Sequence, residues 1–103
     1  MKSFDETQRI AQSVLENEAS AIQQLRPCID QDFYEAVTAI YQSEGRVVIT
    51  GIGKSAIIAN KIVATLNSTG TRAMFMHAAD AVHGDIGMVQ ASDVVIAISK
   101  SGN

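Results

Sequence analysis

The sequence is poor in the residues that usually fix a fold by special chemistry: one cysteine, one proline, two histidines, no tryptophan and 5% aromatic residues in 103 positions. A lone Cys28 excludes an internal disulfide and offers no metal-ligand spacing, so it reads as a small packing residue rather than a reactive thiol. No stretch approaches the roughly eighteen uninterrupted apolar residues of a membrane span, and no apolar segment follows Met1 as a secretory leader would require. The expectation is a cytoplasmic protein that does not engage membranes. A surplus of positive charge is also missing: eight Lys and Arg stand against eleven Asp and Glu, net −3 with a pI near 5.2. Without a basic stripe, nucleic acid is not an expected partner. What remains is 47% hydrophobic and 18% charged residues, the composition of one soluble globular domain able to bury a core.

Periodicity divides the chain in two. From Phe4 to Arg26, Ile10, Val14, Ala21 and Leu25 recur at helical spacing among polar residues, and Pro27 is a natural stop. Asp32 with Glu35 reads as a capping box for a second helix, which presents Phe33, Val37, Ile40 and Tyr41 on one face and ends near Gly45. Residues 1–45 thus form a leading helical segment. After Gly45 the period changes. Val47-Val48-Ile49-Thr50 is a continuous, mostly β-branched run of the kind buried on both faces of a parallel sheet. A helix over Ser55–Leu66, closed by Asn67-Ser68-Thr69-Gly70, leads to a strand over Arg72–Met76. A helical turn over Ala78–Val82 and a loop over Gly84–Gly87 precede a third strand, Asp93–Ile98. Strands alternating with helical connections predict right-handed crossovers and an α/β three-layer sandwich around a parallel sheet. The third strand would leave an apolar edge uncovered, and Asn103 falls where a further helix is expected to begin. The sequence therefore reads as the amino-terminal part of a larger sheet.

Both outer loops of interest follow strands. Gly51-Ile52-Gly53-Lys54-Ser55-Ala56 follows the first, and Ser99-Lys100-Ser101-Gly102 follows the third. The first matches G-x-G-x-x-A, a dinucleotide-binding pattern, but the ribose-binding acid expected at the end of the second strand is replaced by Phe75-Met76-His77. A Walker A loop is excluded because its first glycine would fall on Val48. Two readings stay open for this loop: a structural tight turn with a solvated lysine, and a monophosphate site. In the second, Gly51 and Gly53 let the main chain approach a ligand, Ser55 offers a hydroxyl at a helix start, and the helix dipole favours the negative charge. Ser99 and Ser101 add hydroxyls from the third strand's end, although serines there also serve as ordinary loop starts. His77 and His83 flank Ala78-Ala79-Asp80-Ala81-Val82. Histidine exchanges protons near neutral pH, so His83 with Asp85 nearby is an acid/base candidate; the alternative is that either ring fastens the loop to backbone carbonyls. The spacing of His77, His83, Asp80 and Asp85 matches no standard metal motif, so no metal is expected.

From Glu16 onward the chain resembles the sugar isomerase (SIS) domain family, most closely its arabinose 5-phosphate isomerase branch. The resemblance rests on Gly51-Ile52-Gly53-Lys54-Ser55, Asn67-Ser68-Thr69-Gly70, His83-Gly84-Asp85 with Gly87-Met88, and Ser99-Lys100-Ser101-Gly102 in that order. It implies a flavodoxin-like five-stranded parallel sheet, incomplete here at the carboxyl end, which binds a phosphosugar. It also implies a homotetramer with sites between subunits and no cofactor. By the same resemblance the reaction interconverts D-arabinose 5-phosphate and D-ribulose 5-phosphate, the entry step to Kdo for lipopolysaccharide or capsule. Position by position, Ser55, Ser99 and Ser101 match phosphate-binding serines, Lys54 a lysine important for activity, and His83 the active-site histidine. The chain departs from the branch at Ala78, where Pro is common, at Asp80, where Glu is common, and at Lys100, where Asn or Asp is usual. The branch's later strands, catalytic glutamates, further histidine and paired CBS domains have no counterpart in this sequence, so an isolated chain of this length is expected to be inactive or to bind weakly. A competing function is a non-catalytic module that senses a sugar phosphate; it would need Lys54 and the serines but not His83.

Overall fold

A computed structural model describes residues 1–77 and 85–100. It divides into two compact units, Met1–Val37 and Thr38–Asn103. In the first, helix α1 (Phe4–Gln23) begins where the Ser3 side-chain oxygen accepts the Glu6 N–H at 3.2 Å, with Asp5 and Glu6 placed to complement the positive end of the helix dipole. The helix stops three residues short of the predicted end. Gln24 caps it, and Pro27 sits in a 3-10 turn (Arg26–Cys28) whose tight geometry suits its fixed φ. Ile10, Val14 and Leu25, the apolar stripe read from the sequence, are exposed.

Helix α2 (Gln31–Gln42) crosses the boundary between the units. Its start differs from the sequence expectation. The Asp30 carboxylate, not that of Asp32, accepts the Phe33 N–H at 3.1 Å. Asp32 is thereby displaced into the first turn, where its charge still faces the dipole favourably.

The second unit is built on three parallel strands: β1 (Val47–Gly51), β2 (Ala73–His77) and β3 (Val94–Ile98), in the order β2-β1-β3. Ile49 is in register with Phe75 on one side and Ile96 on the other, so β1 is central and its β-branched run is buried from both faces. Val48 and Ile49 are fully inaccessible. Helix α3 (Lys54–Ser68) carries the chain from β1 to β2 and lays Ala59, Val63 and Leu66 against Val47 and Ile49, with Ile40 of α2, Phe75, Ile96 and Ile98 completing the cluster. The Asn67 amide then fastens the helix end to the next strand, accepting the Ala73 N–H at 2.9 Å and donating to the Ala73 carbonyl at 3.1 Å. Instead of the expected loop over Gly84–Gly87, Asp85–Met88 form a 3-10 turn before β3. The expected helical turn over Ala78–Val82 lies outside the described residues.

Among the described residues, the Thr50 hydroxyl, on the face away from α3, is buried without a hydrogen-bond partner. An unpaired buried hydroxyl is destabilising by about 1–3 kcal/mol, whereas an isosteric methyl is not. Thr50→Val is therefore expected to leave the melting temperature unchanged or raised in calorimetry; a clear fall would mean the hydroxyl is paired in solution.

The amino edge of the sheet is tied by side chains that sequence periodicity does not mark. Asp93, its side chain only 2% exposed, accepts the Arg46 N–H at 2.8 Å through one oxygen. Through the other it accepts the Gln90 N–H at 2.8 Å and an Arg46 guanidinium N–H at 3.3 Å. The same guanidinium nitrogen donates to the Met88 carbonyl at 2.9 Å, and the Ser43 hydroxyl donates to the Ser92 carbonyl at 2.9 Å. These bonds hold the starts of β1 and β3 together. The backbone N–H groups of Gln90 and Arg46, with the Arg46 guanidinium, keep the Asp93 carboxyl below its ordinary value of 3.8, outweighing the opposite effect of burial. Because the folded-state value is depressed, the stabilisation is whole above 3.8 and is lost as pH falls through the lower folded value. Acid titration followed by circular dichroism should show this limb in the wild type, while Asp93→Asn should flatten it and lower stability at neutral pH.

Candidate functional site

Strand polarity decides where the two loops emerge. β1 and β3 are parallel neighbours with Gly51 in register with Ile98, so the segments following them leave the sheet side by side at its carboxyl edge. His77, the last residue of β2, is in register with Gly51 on the opposite side. In a 2-1-3 order the first and third strands flank the topological switch point, the place where open α/β sheets form a ligand crevice.

The turn from β1 into α3 requires both of its glycines. A Cβ on Gly51 would lie 3.0 Å from the backbone carbonyl of Ser55, tighter than ordinary contact, so the strand end and first helical turn approach as closely as they do only without a side chain. Gly53 has φ 61° and ψ −128°, backbone that a side chain disfavours. It caps the helix with no side chain of its own. The Ser55 N–H turns back to the Ile52 carbonyl at 3.2 Å and the Ala56 N–H to the Gly53 carbonyl at 3.1 Å. Among the described residues no partner is found for the N–H groups of Gly53 and Lys54. Two main-chain donors at the positive end of a fifteen-residue helix therefore stand at this rim.

Lys54 is the first residue of α3 and is exposed; Ser55, next to it, is half-buried. Ser99 and Lys100, immediately past β3, are exposed. The sheet thus brings Gly51, Gly53, Lys54, Ser55 and Ser99 to one edge. His83, Asp80, Ser101 and Gly102 lie outside the described residues, and the described turn that begins at Asp85 follows the first two in the connection to β3. His77 is set edge-on to the Phe75 ring, with centroids 6.2 Å apart and planes at 87°. Among the described residues no cluster of His, Cys, Asp or Glu could hold a metal ion, and no helix is long and apolar enough to cross a membrane. β2 ends on His77 with no carboxylate, which removes the ribose anchor of the dinucleotide reading. Sequence reasoning placed Lys100 in the serine loop and noted its departure from the family pattern, but gave it no role at this rim.

A parallel α/β sheet in 2-1-3 order, with a glycine turn entering a helix at the switch point, defines a flavodoxin-like sandwich. Residues 39–103 match the SIS domain model, and the chain belongs to that family. It is 44% identical over 107 residues to the arabinose 5-phosphate isomerase KdsD of Yersinia pestis, an alignment covering 99% of this chain and 33% of that protein. To the arabinose 5-phosphate isomerase GutQ of Escherichia coli K12 it is 53% identical over 74 residues, covering 72% of this chain and 23% of the relative. The chain thus spans about a third or less of the length of these curated relatives. Among solved structures, c3406 of E. coli CFT073 in complex with arabinose 5-phosphate superimposes with a TM-score of 0.82 at 39% identity, covering 95% of this chain and 52% of that one.

Proposed function

We propose that the chain is the phosphosugar-binding part of an aldose–ketose isomerase that interconverts D-arabinose 5-phosphate and D-ribulose 5-phosphate. The observation that supports this reading is the register of Gly51 with Ile98, which starts the segments following β1 and β3 from the same sheet edge. Relatives bearing the arabinose 5-phosphate isomerase name support the choice of substrate, as does the solved relative in complex with that sugar phosphate.

In this reading the phosphoryl oxygens accept from the Gly53 and Lys54 N–H groups and from the hydroxyls of Ser55, Ser99 and Ser101, with Gly51 keeping the turn close. The sugar is then held at its phosphate end while chemistry proceeds at the other. Ring opening frees the aldehyde. Removal of the proton from C2 with protonation of O1 gives the 1,2-enediol, and return of a proton to C1 with loss of the O2 proton gives the ketose, so one hydrogen moves from C2 to C1 and one from O2 to O1. Lys54 stabilises the developing negative charge on oxygen, and His83 assists ring opening or the proton transfer. No redox cofactor enters the balance. The wider proposal is a cytoplasmic homotetramer with sites between subunits, supplying the pathway to Kdo, with residues 1–45 leading into one SIS domain.

The test is direct. Incubating the intact protein with D-arabinose 5-phosphate should give D-ribulose 5-phosphate, detectable by NMR, and the reverse reaction should run to the same equilibrium. Binding of the sugar phosphate without any turnover would replace this reading with the sensing module.

A further inference from the structure

We propose that Lys100 is a cationic contact for the phosphoryl group, contributed by β3 beside the main-chain N–H groups at the start of α3. The inference deepens the phosphosugar reading above and rests on it. It begins with placement. Gly51 and Ile98 are register partners on adjacent parallel strands, which stand about 4.8 Å apart. Lys54 lies three residues beyond the first and Lys100 two beyond the second, so both lysines belong to the same rim. Both are exposed, and among the described residues neither makes an ion pair.

The distribution of acids strengthens the argument. The rim segments 51–55 and 98–100 contain no carboxylate, and neither does His77 at the end of β2. By contrast, Glu44 and Asp93 precede β1 and β3 and therefore lie at the amino edge, where Asp93 is occupied by Arg46. Among the described residues, the segments following β1 and β3 thus carry positive charge and no acid, at the edge to which the helix dipole and the Gly53 and Lys54 N–H groups also belong. One lysine at a helix start is common, and a second from a neighbouring strand end is unexplained by packing. A phosphate dianion is the ligand that an ammonium group beside two main-chain N–H donors at a helix start suits.

The experiment is calorimetric titration of the intact protein with D-arabinose 5-phosphate and, separately, with inorganic phosphate, each at low and at physiological ionic strength. Lys100→Gln should weaken both ligands about three- to tenfold at low salt, because it removes one charge-assisted contact at an exposed site. It should also reduce the salt dependence of affinity, since fewer charges are left to be screened. Lys100→Arg should restore both properties, and Lys61→Gln, an equal change of net charge on α3, should alter neither. The inference is overturned if Lys100→Gln matches the wild type in affinity and salt dependence, or if Lys61→Gln reproduces its effect. A wild type that binds neither ligand removes the phosphosugar reading itself, and the role of Lys100 with it. A wild type that binds while Lys100→Gln is silent removes the role of Lys100 alone.

Discussion

Replacing His83 with alanine in the intact protein should lower kcat for arabinose 5-phosphate by about 10²- to 10⁴-fold, the range that a positioned general acid or base contributes. Affinity for the sugar phosphate should change little. The reason is a division of labour along the substrate: the groups assigned to the phosphate lie within residues 51–55 and 99–101, whereas the proton moves between C1 and C2 at the far end of a five-carbon chain. Histidine suits that step because its unperturbed pKa lets it give and take a proton near neutrality. His77 provides the contrast. It ends β2 with its ring edge-on to Phe75, so His77→Ala should be felt first in thermal stability and only weakly in kcat. Turnover measurements with both variants decide the matter, and full activity in His83→Ala would remove that residue from the chemistry.

The largest expected effect on stability belongs to a glycine far from the chemistry. A Cβ at position 45 would come within 2.5 Å of the Ser92 carbonyl oxygen, 2.6 Å of its carbon and 2.7 Å of an Asp93 carboxylate oxygen. Two of these atoms are backbone and the third is held by Arg46, so none can swing aside as a flexible side chain would. Gly45→Ala should therefore push the starts of β1 and β3 apart and disturb the Ser43, Arg46 and Asp93 bonds together. Overpacking usually destabilises by about 1–3 kcal/mol, and damage to this network places the variant at or above the upper end. For a domain of this size that corresponds to a fall in Tm of roughly 10–20 °C. Gly87→Ala, where a Cβ meets nothing within 4 Å, is the control and should melt within a few degrees of the wild type. Equal melting temperatures for the two variants would show that the close approach at Gly45 does not exist in solution.

Much of the sheet was legible because its signal is local. The β-branched run ending in Thr50 marks a central strand without reference to any other residue. The glycines that follow mark a turn, and Asn67 to Gly70 mark a helix end. Parallel pairing then follows from the helix between β1 and β2, which leaves no room for a hairpin. What escaped was set by distance or by competition. Arg46 and Asp93 are 47 positions apart in the chain, and nothing in either neighbourhood announces the pair. Gly45 looked like a strand boundary, while its actual constraint comes from Ser92. The α2 cap was a competition between two acids two residues apart, and Asp30 prevailed because its carboxylate reaches an N–H of the first turn while Asp32 is already inside the helix. At the rim, the register could be anticipated from strand order, but Lys100 gained a role only once Gly51 and Ile98 were known to be partners.

The contrast between the two ends of the sheet bears on how such a domain can change over generations. Ser43, Gly45, Arg46 and Asp93 form an anchorage in which each member depends on another, so replacements there must come in compatible sets or not at all. Lys54 and Lys100 answer to no neighbour among the described residues. Charge at that rim can therefore vary between lineages without the domain first relearning how to fold.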